Sequence, residues 1–194
     1  MQHLLVFVLF FIGIGSSSID NAPPIAEKVI NKAIKKAFGV EEYSLQALTE
    51  FSKQELLAGS FSNIYNNENK LGIIYNGRVN SCRIGGCSAE GYEESVIDLD
   101  AEYFDYIVVY NLEQEIKFLK IYNYNATYGY EITSKAWLKQ FLNYNGEESL
   151  KLNKQIDGIS GATISADAMT NELQQKTALL KNFLENKLSN LSDN

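Results

Sequence analysis

Phe104-Asp105-Tyr106-Ile107-Val108-Val109-Tyr110-Asn111, followed after a short break by Glu115-Ile116-Lys117-Phe118-Leu119-Lys120-Ile121-Tyr122-Asn123-Tyr124-Asn125, decides the fold. Both runs are dominated by β-branched and aromatic residues and hold no Gly or Pro, the composition of strands. The stretch Asn111 to Gln114 between them reads as a short hairpin loop. Eight of the 12 tyrosines lie between Tyr92 and Tyr130. Tyrosine favours half-buried sheet, so a sheet face accounts for that cluster.

Upstream, Phe61 to Tyr65, Leu71 to Arg83 and Val96 to Leu99 also read as strands. Before them, a helical stretch is expected over Leu45 to Leu57. Ile25, Val29, Ile30, Ala33, Ile34, Ala37 and Phe38 recur at helical spacing, with Lys28, Lys32, Lys35 and Lys36 off the stripe. Pro24 suits a first helical position there and Gly39 a stop. Downstream, Ser134 to Leu142 reads as a helix carrying Trp137, Leu138 and Phe141, and Asn143 to Gln155 as a polar loop. From Ile164 onward Met169, Leu173, Leu180, Leu184, Leu188 and Leu191 mark a long C-terminal helix. The fold class is α+β: a largely antiparallel sheet with flanking helices.

The chain has 194 residues, 45% hydrophobic and 21% charged, ordinary for a folded domain. Its 17 Lys plus Arg stand against 24 Asp plus Glu, a formal net charge of −7. An acidic chain with no basic run is a poor candidate for binding nucleic acid. The only histidine is His3. It lies in an expected leader, so Ser-His-Asp and Cys-His nucleophiles and His-ligated metal or haem are excluded from the mature chain.

Leu4 to Ile14 is an apolar run of eleven residues, too short to span a bilayer and suited to the core of a signal peptide. Ser16 and Ser18 supply small residues for cleavage before Ile19, which makes residues 1–18 a signal peptide. An uncleaved N-terminal anchor is the other reading of the same residues. Either way the bulk of the chain is expected to be exported. Cys82 and Cys87 enclose Arg83-Ile84-Gly85-Gly86. In an exported chain such a pair is expected as a disulfide. A redox-active pair and two free thiols stay open.

Asp157-Gly158-Ile159-Ser160-Gly161-Ala162-Thr163 joins the polar loop to the last helix. Its small residues let another molecule approach the backbone. Thr163 falls at a helix start, where unpaired N–H groups and the positive dipole end favour phosphate. No Gly-Lys-Ser/Thr follows, so this is not a P-loop, and no histidine activates Ser160. From spacing alone, a turn that simply caps a helix also fits.

All seven residues resemble the flavinylation motif of the FMN-binding domain family. That family includes subunits of the sodium-pumping NADH:quinone reductase and of Rnf-type complexes. The family's loop of Thr and Gly, then Glu-Ile, Trp-Leu and Phe, is matched by Thr127, Gly129, Glu131-Ile132, Trp137-Leu138 and Phe141. Gly91-Tyr92 is similar as well, so the resemblance covers about residues 91–184. Two positions depart from the family, where Ala126 replaces a Glu and Tyr128 a Pro. The resemblance implies a twisted, partly rolled sheet, and FMN carried on Thr163 through a phosphoester installed from FAD by a flavin transferase. Ser165 is the second hydroxyl in reach. It further implies that Asp157, Ser160, Gly161 and Ala162 serve the attachment turn. Thr127, Gly129 and Trp137 are implied in cofactor binding, Tyr128 and Tyr130 as further ring neighbours and Thr133 as a polar one.

The expected organisation is a signal peptide over 1–18, an N-terminal helical segment over 19–60 and an FMN-binding domain over 61–194. The expected function is an exported electron-transfer flavoprotein, on the periplasmic or other extracytoplasmic face of the membrane. It would work between a membrane-bound donor and an extracytoplasmic acceptor and would not be a complete enzyme. The alternatives are an exported binding or structural module of the same fold without cofactor, and the FMN subunit of a multi-chain reductase.

Overall fold

The computed structural model describes residues 22–56, 58–81 and 102–192. The expected leader, the strand at Val96–Leu99, Gly91-Tyr92 and the cysteine pair lie outside the described residues. The element order is α1 (Glu27–Phe38), β1 (Ser44–Ala47), α2 (Lys53–Leu56), β2 (Gly59–Asn66), β3 (Asn69–Ser81), β4 (Glu102–Tyr110), β5 (Ile116–Asn125), α3 (Lys135–Leu138) and α4 (Thr163–Ser192). A 3₁₀ turn over Tyr130–Thr133 precedes α3 and another over Lys139–Phe141 continues it. The five strands form one antiparallel meander in chain order, β1-β2-β3-β4-β5. The fold class is α+β. Among the described residues no helix is long and apolar enough to cross a membrane.

The run from Phe104 to Tyr110 forms β4, and every residue of it is buried. A strand covered on both faces needs apolar residues without alternation. Phe104, Tyr106, Val108 and Tyr110 face a core shared with Ala166, Met169, Leu173 and Leu180 of α4. Ile107 and Val109 face Ala33 and Ile34 of α1. The sheet is thus sandwiched between its first and last long helices, and β4 carries both cores. The hairpin to β5 closes where expected. Asn111 N–H donates to the Glu115 carbonyl at 3.0 Å, and the Asn111 side chain accepts from Glu115 N–H at 2.8 Å.

The helix expected over Leu45–Leu57 is a correction. Only Lys53–Leu56 is helical there, and Ser44–Ala47 is an edge strand in register with Tyr65 to Ser62. All four residues of β1 are exposed, so no period-two signal marks them. The unpaired edge of β2 offers backbone partners that outweigh local spacing. The short α2 is held by a reciprocal cap. Ser52 N–H donates to Glu55 Oε2 at 2.7 Å and Glu55 N–H to Ser52 Oγ at 3.2 Å.

Buried polar groups shape both faces of the sheet. Asp105, 1% exposed, accepts both guanidinium contacts of Arg78 at 2.6 and 3.1 Å and the Asn123 amide at 2.8 Å. Its charge is therefore fully paired. On the opposite face, Tyr106 donates its hydroxyl to Glu172 of α4 at 2.9 Å. Lys176 reaches the Glu55 carbonyl at 2.8 Å, and Tyr75 the Leu56 carbonyl at 3.2 Å. Tyr75 lies across Gly59 and Gly77, which pair between β2 and β3. A Cβ on either glycine would stand 2.1 or 2.3 Å from the Tyr75 ring system.

Burial pushes the Glu172 carboxyl above its ordinary value, opposed by the Lys176 charge and the Tyr106 hydrogen bond. The folded state therefore holds this proton more tightly than the unfolded chain, whose glutamates titrate near pH ~4.3. The stabilising contribution is complete below that pH and is lost as pH rises through the folded value. Glu172→Gln keeps an acceptor for Tyr106 and removes the titration. The variant is expected to gain stability relative to the parent on going from pH 4 to pH 7. Urea unfolding at the two pH values checks this, and identical pH dependence in both proteins would contradict it.

Candidate functional site

The site is built where β5, the turns around α3 and the start of α4 meet. Thr163 is the first residue of α4 and is exposed. The Ala162 carbonyl accepts the first helical bond, from Ala166 N–H at 2.9 Å, so Ala162 stands at the cap position. Alanine carries no side-chain oxygen to cap the first-turn N–H groups, which a helix leaves without internal partners. An anion is the natural partner for them. Before the cap, Ala162 N–H closes a tight turn onto the Ile159 carbonyl at 3.0 Å. Gly161 enables it with φ +81°, and a Cβ there would meet nothing within 4 Å. The motif is thus a narrow turn with open space at Gly161 and with Ser160 and Gly158 exposed, while Ile159 and Ala162 anchor it to the core.

Asp157 is pinned through its backbone while its side chain is exposed. Its carbonyl accepts the Trp137 indole N–H at 2.8 Å, and its N–H donates to Gln140 Oε1 at 2.8 Å. Trp137 is 5% exposed and packs edge-on against Phe141 at 5.1 Å. It serves as the wall behind the turn. Its own helix begins at Ser134, whose hydroxyl accepts from Trp137 N–H at 3.3 Å.

The two candidate hydroxyls are sorted by the helix. Ser165 is 4% exposed and bonded to the Tyr124 hydroxyl at 3.0 Å, whereas Thr163 faces solvent. Gly129, with φ +88°, packs directly over Ser165, and a Cβ there would come within 2.6 Å of Ser165 Oγ. Glycine is therefore required on two grounds, conformation and space. The Thr127–Thr133 stretch is thereby laid against the start of α4. Thr127 is exposed, its N–H held by Glu102 Oε1 at 2.9 Å, and Thr133 is half-buried. Tyr128 and Tyr130 are 62% and 67% exposed, and Ile164 is 50% exposed. Among the described residues, three of the seven exposed large apolar residues thus belong to this one corner. Such clustering marks a binding surface more than scattered exposure does.

The structure brings the motif and the upstream loop together. It keeps Trp137 out of solvent, and it withdraws Ser165 from the surface. Tyr124 and Gln140 were not singled out from the sequence. Their partners lie 41 and 17 residues away, and no local pattern announces them. Burial pushes the Tyr124 hydroxyl above its ordinary value, so it keeps its proton at neutral pH. The burial of Ser165 did have a signal, since it leads the Met169–Leu173 stripe by one helical turn.

These residues suit a phosphate-bearing aromatic cofactor. The turn offers an accessible hydroxyl, the helix start offers N–H groups, and the exposed tyrosines offer flat apolar surface. No curated protein matches the chain. Residues 104–177 match the family model for the FMN-binding domain, a span that runs from the start of β4 to the middle of α4 and holds every residue of this site except Glu102. The resemblance first visible in Asp157–Thr163 extends along that whole run, and residues 104–177 are similar to the FMN-binding domain.

Proposed function

We propose that the chain is an exported electron-transfer flavoprotein carrying FMN on Thr163 through a phosphoester, installed from FAD by a flavin transferase. The observation that carries this reading is the contrast between the two hydroxyls of the first turn. Thr163 is exposed on a turn thin enough to enter another enzyme, and Ser165 is buried and bonded. The first-turn N–H groups beyond Ala162 would hold the phosphate. Tyr128, Tyr130 and Ile164 would offer the ring an apolar surface. Trp137 and Gln140 hold the turn in place, leaving the Asp157 carboxylate for recognition by the transferase. FMN bound there supplies one- and two-electron redox chemistry. Electron relay asks nothing more of the surrounding residues than position and exclusion of water.

The covalent link also suits export, because a reversibly held cofactor would be lost where no pool replenishes it. The partners proposed are a membrane-bound donor and an extracytoplasmic acceptor. Co-expression with a flavin transferase, followed by a denaturing gel viewed for flavin fluorescence, tests the attachment. A fluorescent band is expected. A colourless band beside an active transferase would favour a cofactor-free binding module. Export carries its own expectation. The mass of the exported protein, alkylated without reduction, should fit a chain starting at Ile19 with Cys82 and Cys87 unalkylated. An intact Met1, or two alkylated thiols, would overturn the corresponding half.

A further inference from the structure

We infer that Tyr124 is the positioning residue that fastens the Tyr128–Tyr130 loop to the attachment helix and so holds flavin carried on Thr163 in one orientation. This rests on the proposed attachment at Thr163. The Tyr124 hydroxyl has a single hydrogen, and it donates that hydrogen to the Tyr128 carbonyl. Its oxygen then accepts from Ser165, 3.0 Å away. One hydroxyl therefore bridges the loop and the first turn of α4. The closure leaves no slack. A Cβ on Gly129 would lie 2.6 Å from Ser165 Oγ and 2.8 Å from Tyr124 Oη. The Tyr124 ring is itself fixed, stacked on Phe104 at 5.8 Å and met edge-on by Tyr130 at 5.6 Å. Tyr130 is thus aligned by the same residue that ties down the helix.

Tyr124→Phe keeps both ring contacts and deletes both hydrogen bonds. Ser165→Ala breaks the bridge from the helix side, in case the first variant folds poorly. Tyr110→Phe is the control. Its hydroxyl is bonded to Thr177 of the same helix at 3.1 Å, twelve residues or about 18 Å further along. Each protein is co-expressed with the transferase and read twice, by flavin fluorescence in a denaturing gel and by fluorescence anisotropy of the folded protein. Gel bands equal to the parent are expected throughout. Flavin anisotropy should fall in Tyr124→Phe and Ser165→Ala and stay at the parent value in Tyr110→Phe. Parent anisotropy in both site variants, or an equal fall in the control, would overturn the inference while leaving the attachment standing. A parent protein with no fluorescent band would overturn the attachment itself, and the inference with it.

Discussion

Thr163→Ala is expected to fold as the parent does and to carry no flavin. The side chain is exposed at the first position of α4. Alanine is the best helix former, and substitutions at such surface positions usually stay within about 0.5 kcal/mol. Its methyl retains no nucleophilic oxygen, so a phosphoester cannot form. Ser165 does not substitute for it, because its hydroxyl is buried and occupied by Tyr124. Asp157→Ala is expected to be largely colourless for another reason. Its backbone contacts to Trp137 and Gln140 persist, but the exposed carboxylate proposed for recognition by the transferase is gone. Far-ultraviolet circular dichroism and visible absorbance separate loss of fold from loss of flavin. A yellow Thr163→Ala protein would refute the assignment.

Trp137→Ala is expected to cost stability on a much larger scale. The side chain is 5% exposed, packs against Phe141 and spends its indole N–H on the Asp157 carbonyl. Truncating a buried aromatic residue typically costs about 3–5 kcal/mol. In a domain of this size each kcal/mol lowers the melting temperature by roughly 2–4 °C. The lesion lies directly behind the turn, so whatever flavin is attached should show an altered absorbance spectrum. Trp137→Phe keeps the packing and loses only the N–H, so it should cost far less. Urea unfolding of the three proteins checks this. A Trp137→Ala loss below about 1 kcal/mol would mean that the site relaxes around the hole and that Trp137 is not its wall.

Much of this architecture was legible because it is written in local periodicity. The β4–β5 pair combined strand-forming residues with a short break. The stripe of α1, bounded by Pro24 and Gly39, gave its limits to within a few residues. The Asp157–Thr163 turn was legible as small residues meeting a helix start, and its reading as an attachment site came from the family resemblance. What stayed hidden depends on long-range partners. The edge strand β1 buries none of its four residues, so its identity comes entirely from the backbone of β2. Leu45 and Leu48 sit three apart as on a helix, yet Leu48 is buried and Leu45 is 41% exposed. The spacing had no helix to describe.

The candidate site divides the same way. Thr163, Asp157, Gly129 and Trp137 could be named because the motif and the loop resemble those of the FMN-binding domain family. Their functional division could not. Trp137 supports the turn from inside, and Gly129 is a point of closest approach. Tyr124 joins two segments separated by 41 residues. Its place at the end of an alternating strand gave only the signal of one more sheet tyrosine. Distinguishing it required knowing that β5 ends beneath the start of α4.

Peptide mapping of the wild-type protein bears most directly on the central claim. After co-expression with a flavin transferase, trypsin releases Gln155 to Lys176, which holds Ser160, Thr163, Ser165 and Thr170 together. Tandem mass spectrometry of that peptide is expected to find one FMN, less one water, placed on Thr163. An unmodified peptide, or the same mass on Ser160 or Ser165, would contradict the account.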